Sequence, residues 1–240
     1  MPGPLAEARK RLVNLPNGIT IGRIVVAPLI AWLPLIDSWA LRLLAFVLFI
    51  AAAVTDYIDG HLARSRNLIT DLGRLLDPLA DKLLLVATFV PMYFMMAPRD
   101  DRFGGLVPDF QDAFDFPFHT PFGDVALPWW VLAIVIGREA FMTAFRQAAN
   151  RRGVVISAIG PAKLKTGFQS TWVGAAYFWF FLDTVASRLR TPNAAVEALA
   201  QFNGIVGTVT MTTAVILTVY SLLLYLRRYG SLFTRGAPAA

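Results

Sequence analysis

The residues best able to do chemistry are four aspartates in the segment 56–81. Asp56, Asp59, Asp77 and Asp81 lie between strongly apolar stretches, where isolated carboxylates would be costly. Residues three or four positions apart share one face of a helix, so the aspartates form two pairs. A short turn near 65–70 would make the two helices antiparallel and bring the pairs opposite each other.

Converging carboxylates suggest a site for hard cations. In a low dielectric they repel one another unless cations intervene. Ligation by oxygen alone favours Mg²⁺ or Mn²⁺, and two such ions can clamp a phosphoryl group. Gly60 and Gly73 leave room for a close approach of backbone and substrate, and Arg64 can pair with a phosphate or a carboxylate. The alternative interpretation is a set of structural charges at helix ends.

The rest of the chain indicates a membrane protein. Of its 240 residues, 56% are hydrophobic and 16% are charged, whereas soluble domains have roughly 25% charged residues. Lone membrane spans satisfy their backbone only as helices, so we predict an all-α integral membrane bundle of six transmembrane helices. The predicted spans are 18–36, 40–62, 79–97, 128–149, 168–186 and 204–226. Because the chain has no cysteine, it has no disulfide, thiol nucleophile or cysteine-ligated zinc site.

We expect one membrane-embedded domain over residues 1–240. Residues 1–13 are predicted to form a short basic amphipathic helix at the membrane surface, and the alternative is a solvated basic tail. Residues 98–127 are the longest polar stretch and are expected to be an outer loop. Its aspartates are expected to be solvated, with a calcium site as the minor alternative.

Basic residues are unevenly distributed across the predicted spans. With the N-terminus inside, the outer side holds only Arg42, Arg99, Arg102, Arg188 and Arg190. This positive-inside bias places the aspartates at the cytoplasmic face. The net charge of +6 is therefore expected to meet anionic lipid and phosphate groups. No nucleic-acid partner is expected, because the basic residues alternate with spans instead of forming one soluble patch.

The aspartates belong to a longer pattern, Asp-x2-Asp-Gly-x2-Ala-Arg-x8-Gly-x3-Asp-x3-Asp. Every fixed position of it is present between Asp56 and Asp81. This run resembles the signature of the CDP-alcohol phosphotransferase family. The resemblance implies an integral membrane enzyme of six helices, usually a homodimer. Such enzymes cleave the pyrophosphate of a CDP-linked substrate and transfer its phosphoryl moiety to an alcohol, releasing CMP.

The resemblance also implies roles for individual residues. The ligands of two Mg²⁺ or Mn²⁺ ions would be Asp56, Asp59 and Asp77. Asp81 looks like the general base, and it is also expected to approach a metal. The nucleotide cradle would comprise Gly60, Ala63, Arg64 and Gly73.

Three hydroxyl or amide residues resemble positions that border the CDP group in this family. They are Asn17, Thr20 and Thr70. The structural alternatives are a plain helix cap for the first two and a turn cap for Thr70.

Four segments resemble phosphatidylglycerophosphate synthases within the family. They are Asn14–Arg23, Leu76–Lys82, Gly137–Arg146 and Ala162–Thr166. This second resemblance implies CDP-diacylglycerol as donor, glycerol 3-phosphate as acceptor and a place in phospholipid biosynthesis. We accordingly expect the protein in the bacterial inner (plasma) membrane, with its active site facing the cytoplasm. The stretch 98–127 is longer than that group leads us to expect.

Basic residues of the fourth and fifth spans agree with an acidic acceptor. Arg138 and Glu139 lie inside the apolar fourth span, where ionisable residues are usually functional. Arg146 follows about two turns later on the same face, and Lys163 and Lys165 begin the fifth span. We predict that the four cations bind the phosphate of glycerol 3-phosphate. The alternatives are a structural Arg138–Glu139 pair and membrane anchoring by the lysines.

Other functions remain open from the sequence. A different member of the family would use inositol phosphate, serine or phosphatidylglycerol as acceptor. A divalent-cation transporter also places acidic groups within a membrane, but it does not need the two glycines, Arg64 or the later basic residues. His61 and His119 have little support as catalysts, because the first fills a free position of the signature and the second lies in the outer stretch.

Overall fold

The structure is a computed structural model that describes residues 15–65, 71–98, 115–157, 159–188 and 194–230. Its long helices are α1 (Leu15–Trp32), α2 (Trp39–Ser65), α3 (Asp71–Met96), α4 (Trp129–Arg151), α5 (Gly160–Arg188) and α6 (Ala194–Tyr229). A short 3-10 helix, Leu33–Leu35, follows α1. Each predicted span falls on one of these helices, and the all-α prediction is confirmed.

Four segments of these helices are long and apolar enough to cross a membrane. Among the described residues they are Asn17–Leu35, Trp39–Asp56, Leu76–Met96 and Ala194–Tyr229. They make the chain an integral membrane protein. Six crossings remain a prediction, because α4 and α5 are not among these segments. The predicted surface helix over 1–13 lies outside the described residues.

The chain divides into two compact units. One contains Met1–Met95 with Ala176–Pro192, and the other contains Met96–Ala175 with Asn193–Ala240. The predicted single domain over 1–240 remains a prediction. The carboxylates of the acidic signature belong to the first unit, and the basic residues of α4 and α5 belong to the second.

In the core of the first unit, a tyrosine hydroxyl contacts a backbone carbonyl that a proline leaves without its helical donor. Pro91 lies inside α3 and has no N–H, so the Ala87 carbonyl one turn earlier loses its helical donor. The buried Tyr177 hydroxyl lies 3.3 Å from that oxygen and 3.3 Å from the Ile30 carbonyl of α1. In a membrane, freed backbone groups must be satisfied by neighbouring helices. Tyr177 therefore ties α5 to α1 and α3 at the point where the proline weakens α3.

The buried Arg42 links three elements of the same unit. Arg42 is 2% exposed, and its Nε donates to the Pro34 carbonyl at 3.0 Å. Its Nη1 also donates to the Thr184 hydroxyl. These bonds join the start of α2 to the 3-10 helix and to α5.

The second unit contains a small hairpin that the sequence analysis did not predict. Strands β1 (Phe118–Thr120) and β2 (Gly123–Val125) pair antiparallel within the stretch 98–127. His119 pairs with Asp124 directly across the hairpin, with 2.6 Å between Nδ1 and Oδ1. His119 therefore has a structural partner here, in agreement with its weak support as a catalyst.

Two glycines of α6 make room for this hairpin. A β-carbon at Gly207 would overlap the buried ring of Phe118, and one at Gly204 would overlap the His119 carbonyl. Only glycine permits so close an approach of a strand to a helix. The Leu127 amide also donates to the Met96 carbonyl at 2.8 Å, which fixes the chain leading into α4.

Candidate active site

Helix α1 carries a polar stripe on one face. Asn17, Thr20 and Arg23 recur at every third residue of an otherwise apolar helix, and their exposed fractions are 2%, 1% and 4%. Residues with this spacing lie on the same side of a helix. Burying polar groups is costly unless they are hydrogen-bonded, so the stripe requires polar partners on the neighbouring helices.

For Thr20 and Arg23 the partners are aspartates of the signature. The Thr20 hydroxyl donates to Asp77 Oδ1 at 2.9 Å. The Arg23 guanidinium donates to Asp56 and, at 3.3 Å, to Asp81 Oδ1. The stripe thus gathers one aspartate of α2 and two of α3 along one side of α1. The prediction that the two halves of the signature face each other is borne out for these three carboxylates.

The burial of the charges in this cluster is asymmetric. Arg23 is almost fully buried, whereas the Asp56 and Asp81 side chains are 51% and 63% exposed. Asp77 is exposed as well. The cation thus lies beneath the carboxylates, whose free oxygens remain accessible to a ligand. Such a cluster can bind cations through oxygen atoms and can accept a proton from a substrate that approaches it.

The donor set suits a hard divalent ion, since Mg²⁺ and Mn²⁺ prefer carboxylate oxygens. Within the described part of the chain, no three acidic or imidazole side chains are grouped closely enough to hold a metal. Arg23 contacts both Asp56 and Asp81 instead. An ion bound by these two carboxylates would compete with the guanidinium for the same oxygens.

Several predicted site residues can be located only in part. The backbone of α2 includes Asp59, Gly60, Ala63 and Arg64, whose side chains lie outside the description. Thr70 lies outside the described residues altogether, while Gly73 is buried in the first turn of α3. The roles predicted for these residues stay predictions.

Two α1 residues contact the signature aspartates directly. Thr20 lies inside α1 and bonds to Asp77, so the helix-cap alternative does not describe it. Arg23 is not among the site residues that the sequence predicts, although it joins two signature aspartates. The sequence feature that could have identified Arg23 is a cation inside an apolar span, three residues after Thr20. Ionisable residues within membrane helices are functional by default.

A second polar cluster lies in the other unit. Glu139 of α4 accepts hydrogen bonds from Arg138, at 2.7 Å, and from Lys165 of α5. Both cations are buried, with exposed fractions of 7% and 4%. The Arg138–Glu139 pair that the sequence suggested as a structural alternative is therefore present, but it is shared with a second cation. Lys163 is exposed on the same helix, outside this cluster.

The charges of this second cluster do not balance among themselves. Arg138, Lys165 and the exposed Arg146 carry three positive charges against the single negative charge of Glu139. Arg138 Nε is buried and lacks a hydrogen-bond partner among the described residues. Buried charge of one sign is costly in an apolar protein. With the exposed Arg146 included, the excess of two positive charges equals the charge of a phosphate dianion.

Removing the Thr20 hydroxyl tests whether α1 holds the acidic site together. We expect Thr20→Val to lower kcat about 10-fold, because Asp77 loses a hydrogen bond that orients it. The measurement is the steady-state rate of the purified full-length protein in detergent. Thr88→Val is the matched control, because the Thr88 hydroxyl bonds only to carbonyls of its own helix in the described structure. Equal rates for the two variants would contradict the role of Thr20.

Comparisons with known proteins agree with these features. The family model described as CDP-alcohol phosphatidyltransferase matches residues 13–220. An Arabidopsis thaliana protein named CDP-diacylglycerol–glycerol-3-phosphate 3-phosphatidyltransferase 1, chloroplastic/mitochondrial, is 32% identical over 67% of this chain and 49% of its own length. A probable phosphatidylglycerophosphate synthase of Mycobacterium tuberculosis is 31% identical, over 69% of this chain and 66% of its own.

A third relative is the CDP-diacylglycerol–glycerol-3-phosphate 3-phosphatidyltransferase of Bacillus subtilis. It is 31% identical over 68% of this chain and 76% of its own length. The chain spans about half the length of the plant relative and just under two thirds of the mycobacterial one. The family match covers nearly the whole of this chain, including both clusters described above. The chain belongs to the CDP-alcohol phosphatidyltransferase family.

Proposed function

We propose that this protein transfers the phosphatidyl group of CDP-diacylglycerol to glycerol 3-phosphate, forming phosphatidylglycerophosphate and CMP in phospholipid biosynthesis. The observation that carries the proposal is the gathering of Asp56, Asp77 and Asp81 around Thr20 and Arg23. The names of the plant, mycobacterial and Bacillus relatives support the same reaction. The excess positive charge around Glu139 supports a phosphorylated acceptor.

Asp81 is the proposed general base of this reaction. Its carboxylate accepts the proton of the 1-hydroxyl of glycerol 3-phosphate. The oxygen then forms a bond to the phosphorus that carries diacylglycerol, and the bond from that phosphorus to CMP breaks. CMP leaves with the bridging oxygen of the former pyrophosphate. Positioning of the two substrates and stabilisation of the developing negative charge would supply most of the rate.

The remaining signature carboxylates are proposed as ligands of two Mg²⁺ or Mn²⁺ ions. The ligands would be Asp56, Asp59 and Asp77, together with Asp81. Bound there, the ions would supply charge neutralisation for the pyrophosphate. Arg23 gives the same carboxylates a positive partner within the protein and keeps Asp56 and Asp81 close together.

The proposed substrate-binding residues rest on the family resemblance, and the two clusters support some of them. For CDP-diacylglycerol we propose Asn17, Thr20, Gly60, Ala63, Arg64, Thr70 and Gly73. For the phosphate of glycerol 3-phosphate we propose Arg138, Arg146, Lys163 and Lys165. Of this second set, Arg138 and Lys165 are the buried members, so they would make the strongest contacts with a bound dianion.

The cellular setting is part of the same proposal. We propose a bacterial inner membrane protein, and the uneven distribution of basic residues supports placing its acidic site at the cytoplasmic face. We further propose that residues 1–240 work as one membrane-embedded domain and that the active enzyme is a homodimer.

A panel of acceptors tests the proposed reaction. Purified protein is incubated with CDP-diacylglycerol, Mg²⁺ and one acceptor at a time, namely glycerol 3-phosphate, inositol phosphate, serine or phosphatidylglycerol. We expect CMP release above the background rate only with glycerol 3-phosphate. Release with another acceptor instead would replace the assigned substrate while leaving the family reaction intact. Metal-dependent ion uptake into liposomes without any CMP release would favour a transporter.

A further inference from the structure

Tyr225 lies beside the two arginines of the second cluster, and its contacts suggest a specific role. It is fully buried on α6, next to Met142 and Phe145 of α4. Ile156 and Ile159, which precede α5, pack against the cluster that these three residues form. Burying a tyrosine hydroxyl is costly unless the hydroxyl finds partners. The partners that it has therefore indicate what the residue holds in place.

The Tyr225 hydroxyl fixes the segment that leads into α5. It accepts a hydrogen bond from the Ile159 amide at 3.1 Å and lies 3.3 Å from the Ser157 carbonyl, to which it donates. A phenolic oxygen can do both at once. Lys165 follows this segment within the first two turns of α5. The hydroxyl thus determines where α5 begins and, with it, where the buried lysine lies.

The ring of Tyr225 faces the two arginines of α4. The guanidinium carbons of Arg138 and Arg146 lie 6.0 and 5.8 Å from its centroid, within range of cation–π attraction. Arg146 Nη2 also lies 3.5 Å from the hydroxyl. One turn earlier on α6, the buried Ser221 hydroxyl lies 3.2 Å from Arg138 Nη2. One face of α6 therefore orients both arginines.

We propose that Tyr225, assisted by Ser221, is a positioning residue that makes the acceptor site selective for a phosphate dianion. It holds Arg138, Arg146 and the segment before Lys165 in a single arrangement, so that three cations converge on one ligand. Glu139 neutralises only one of the three charges, and a dianion would neutralise the other two. The inference rests on the proposed function for the identity of the acceptor, glycerol 3-phosphate, and adds residues of α6 to its site.

Tyr225→Phe is the variant that isolates the hydroxyl. The ring and its packing remain, while the bonds to Ile159, Ser157 and Arg146 are lost. We expect the KM for glycerol 3-phosphate to rise about 3- to 10-fold. The KM for CDP-diacylglycerol and the kcat should change by less than twofold. Tyr229→Phe is the matched control, because its ring stacks on Tyr225 one turn later and no hydrogen bond of its hydroxyl is seen in the described structure.

Direct binding separates this inference from the proposed reaction. Titration of the purified full-length protein with inorganic phosphate, without the lipid substrate, should give a dissociation constant raised by a similar factor in Tyr225→Phe and unchanged in Tyr229→Phe. Weaker phosphate binding by Tyr225→Phe in a protein that makes no lipid product would overturn the proposed function alone. Normal product formation with equal KM values in both variants would overturn the inference alone.

A second variant covers the case in which Tyr225→Phe does not fold. Ser221→Ala removes only the hydroxyl beside Arg138, and small residues are well tolerated within membrane helices. We expect it to raise the same KM about 2- to 5-fold, again without a matching change in the KM for CDP-diacylglycerol. A uniform fall in kcat with both KM values unchanged would assign α6 a merely structural role and contradict the proposal.

Discussion

Replacing Asp81 with asparagine is expected to lower kcat by about 10² to 10⁴-fold. That range is the usual contribution of a positioned general base. Asparagine has nearly the same shape and can still accept the hydrogen bond from Arg23, so the fold of α1 and α3 should be kept. What is lost is the ability to take the proton of the attacking hydroxyl. The measurement is steady-state CMP release at saturating concentrations of both substrates.

Asp37→Asn provides the control for this prediction. Asp37 is an exposed aspartate of the same compact unit, and its side chain lies beside Arg42 and Arg188 instead of the signature residues. Its replacement should leave kcat within about twofold of the unchanged protein. Asp81→Asn with unchanged kcat would remove Asp81 from its assigned role as the base.

Replacing Arg138 with glutamine is expected to raise the KM for glycerol 3-phosphate about 10- to 100-fold. Hydrogen bonds to charged groups contribute roughly 1.5–3 kcal/mol, and each 1.4 kcal/mol is a factor of ten. Arg138 is buried and bonds to Glu139 and Ser221, while its Nε has no partner among the described residues and can still donate to a ligand. The KM for CDP-diacylglycerol should not change, which distinguishes loss of the acceptor from general damage.

Two further variants sharpen the result at Arg138. Arg151→Gln removes an exposed arginine from the last turn of the same helix and should leave both KM values unchanged. Arg138→Lys keeps the positive charge but loses the planar guanidinium group. Its KM for glycerol 3-phosphate should lie between those of the unchanged protein and Arg138→Gln. Removing one partner of a buried ion pair is also destabilising, so thermal unfolding of each variant is measured alongside. Equal increases in the KM values of both substrates would contradict the assignment.

The spacing of the acidic signature allowed much of this site to be predicted. Carboxylates three or four residues apart on apolar segments were expected to share helix faces, and the apolar runs predicted six helices, each of which is present among the described residues. Family resemblance then supplied the reaction. These inferences needed only short-range periodicity, which is the information that a single sequence carries most directly.

Partners distant in sequence could not be predicted in the same way. Arg23 contacts Asp56 and Asp81 only after three helices have packed, and Tyr225 is remote in sequence from Ser157 and Ile159. The hairpin was also missed, because its strands are three residues each and give no clear alternation. The sequence feature related to the hairpin is a pair of glycines three residues apart on α6, where Phe118 and His119 approach the helix.

The most direct test of the central claim follows the acceptor into the lipid product. Purified protein is supplied with CDP-diacylglycerol, Mg²⁺ and glycerol 3-phosphate labelled in its glycerol carbons, and the label is measured in the organic phase while CMP is measured in the aqueous phase. The account predicts one labelled lipid for each CMP released, with both signals lost in Asp81→Asn. CMP release without transfer of label to lipid, or transfer that persists in Asp81→Asn, would contradict it.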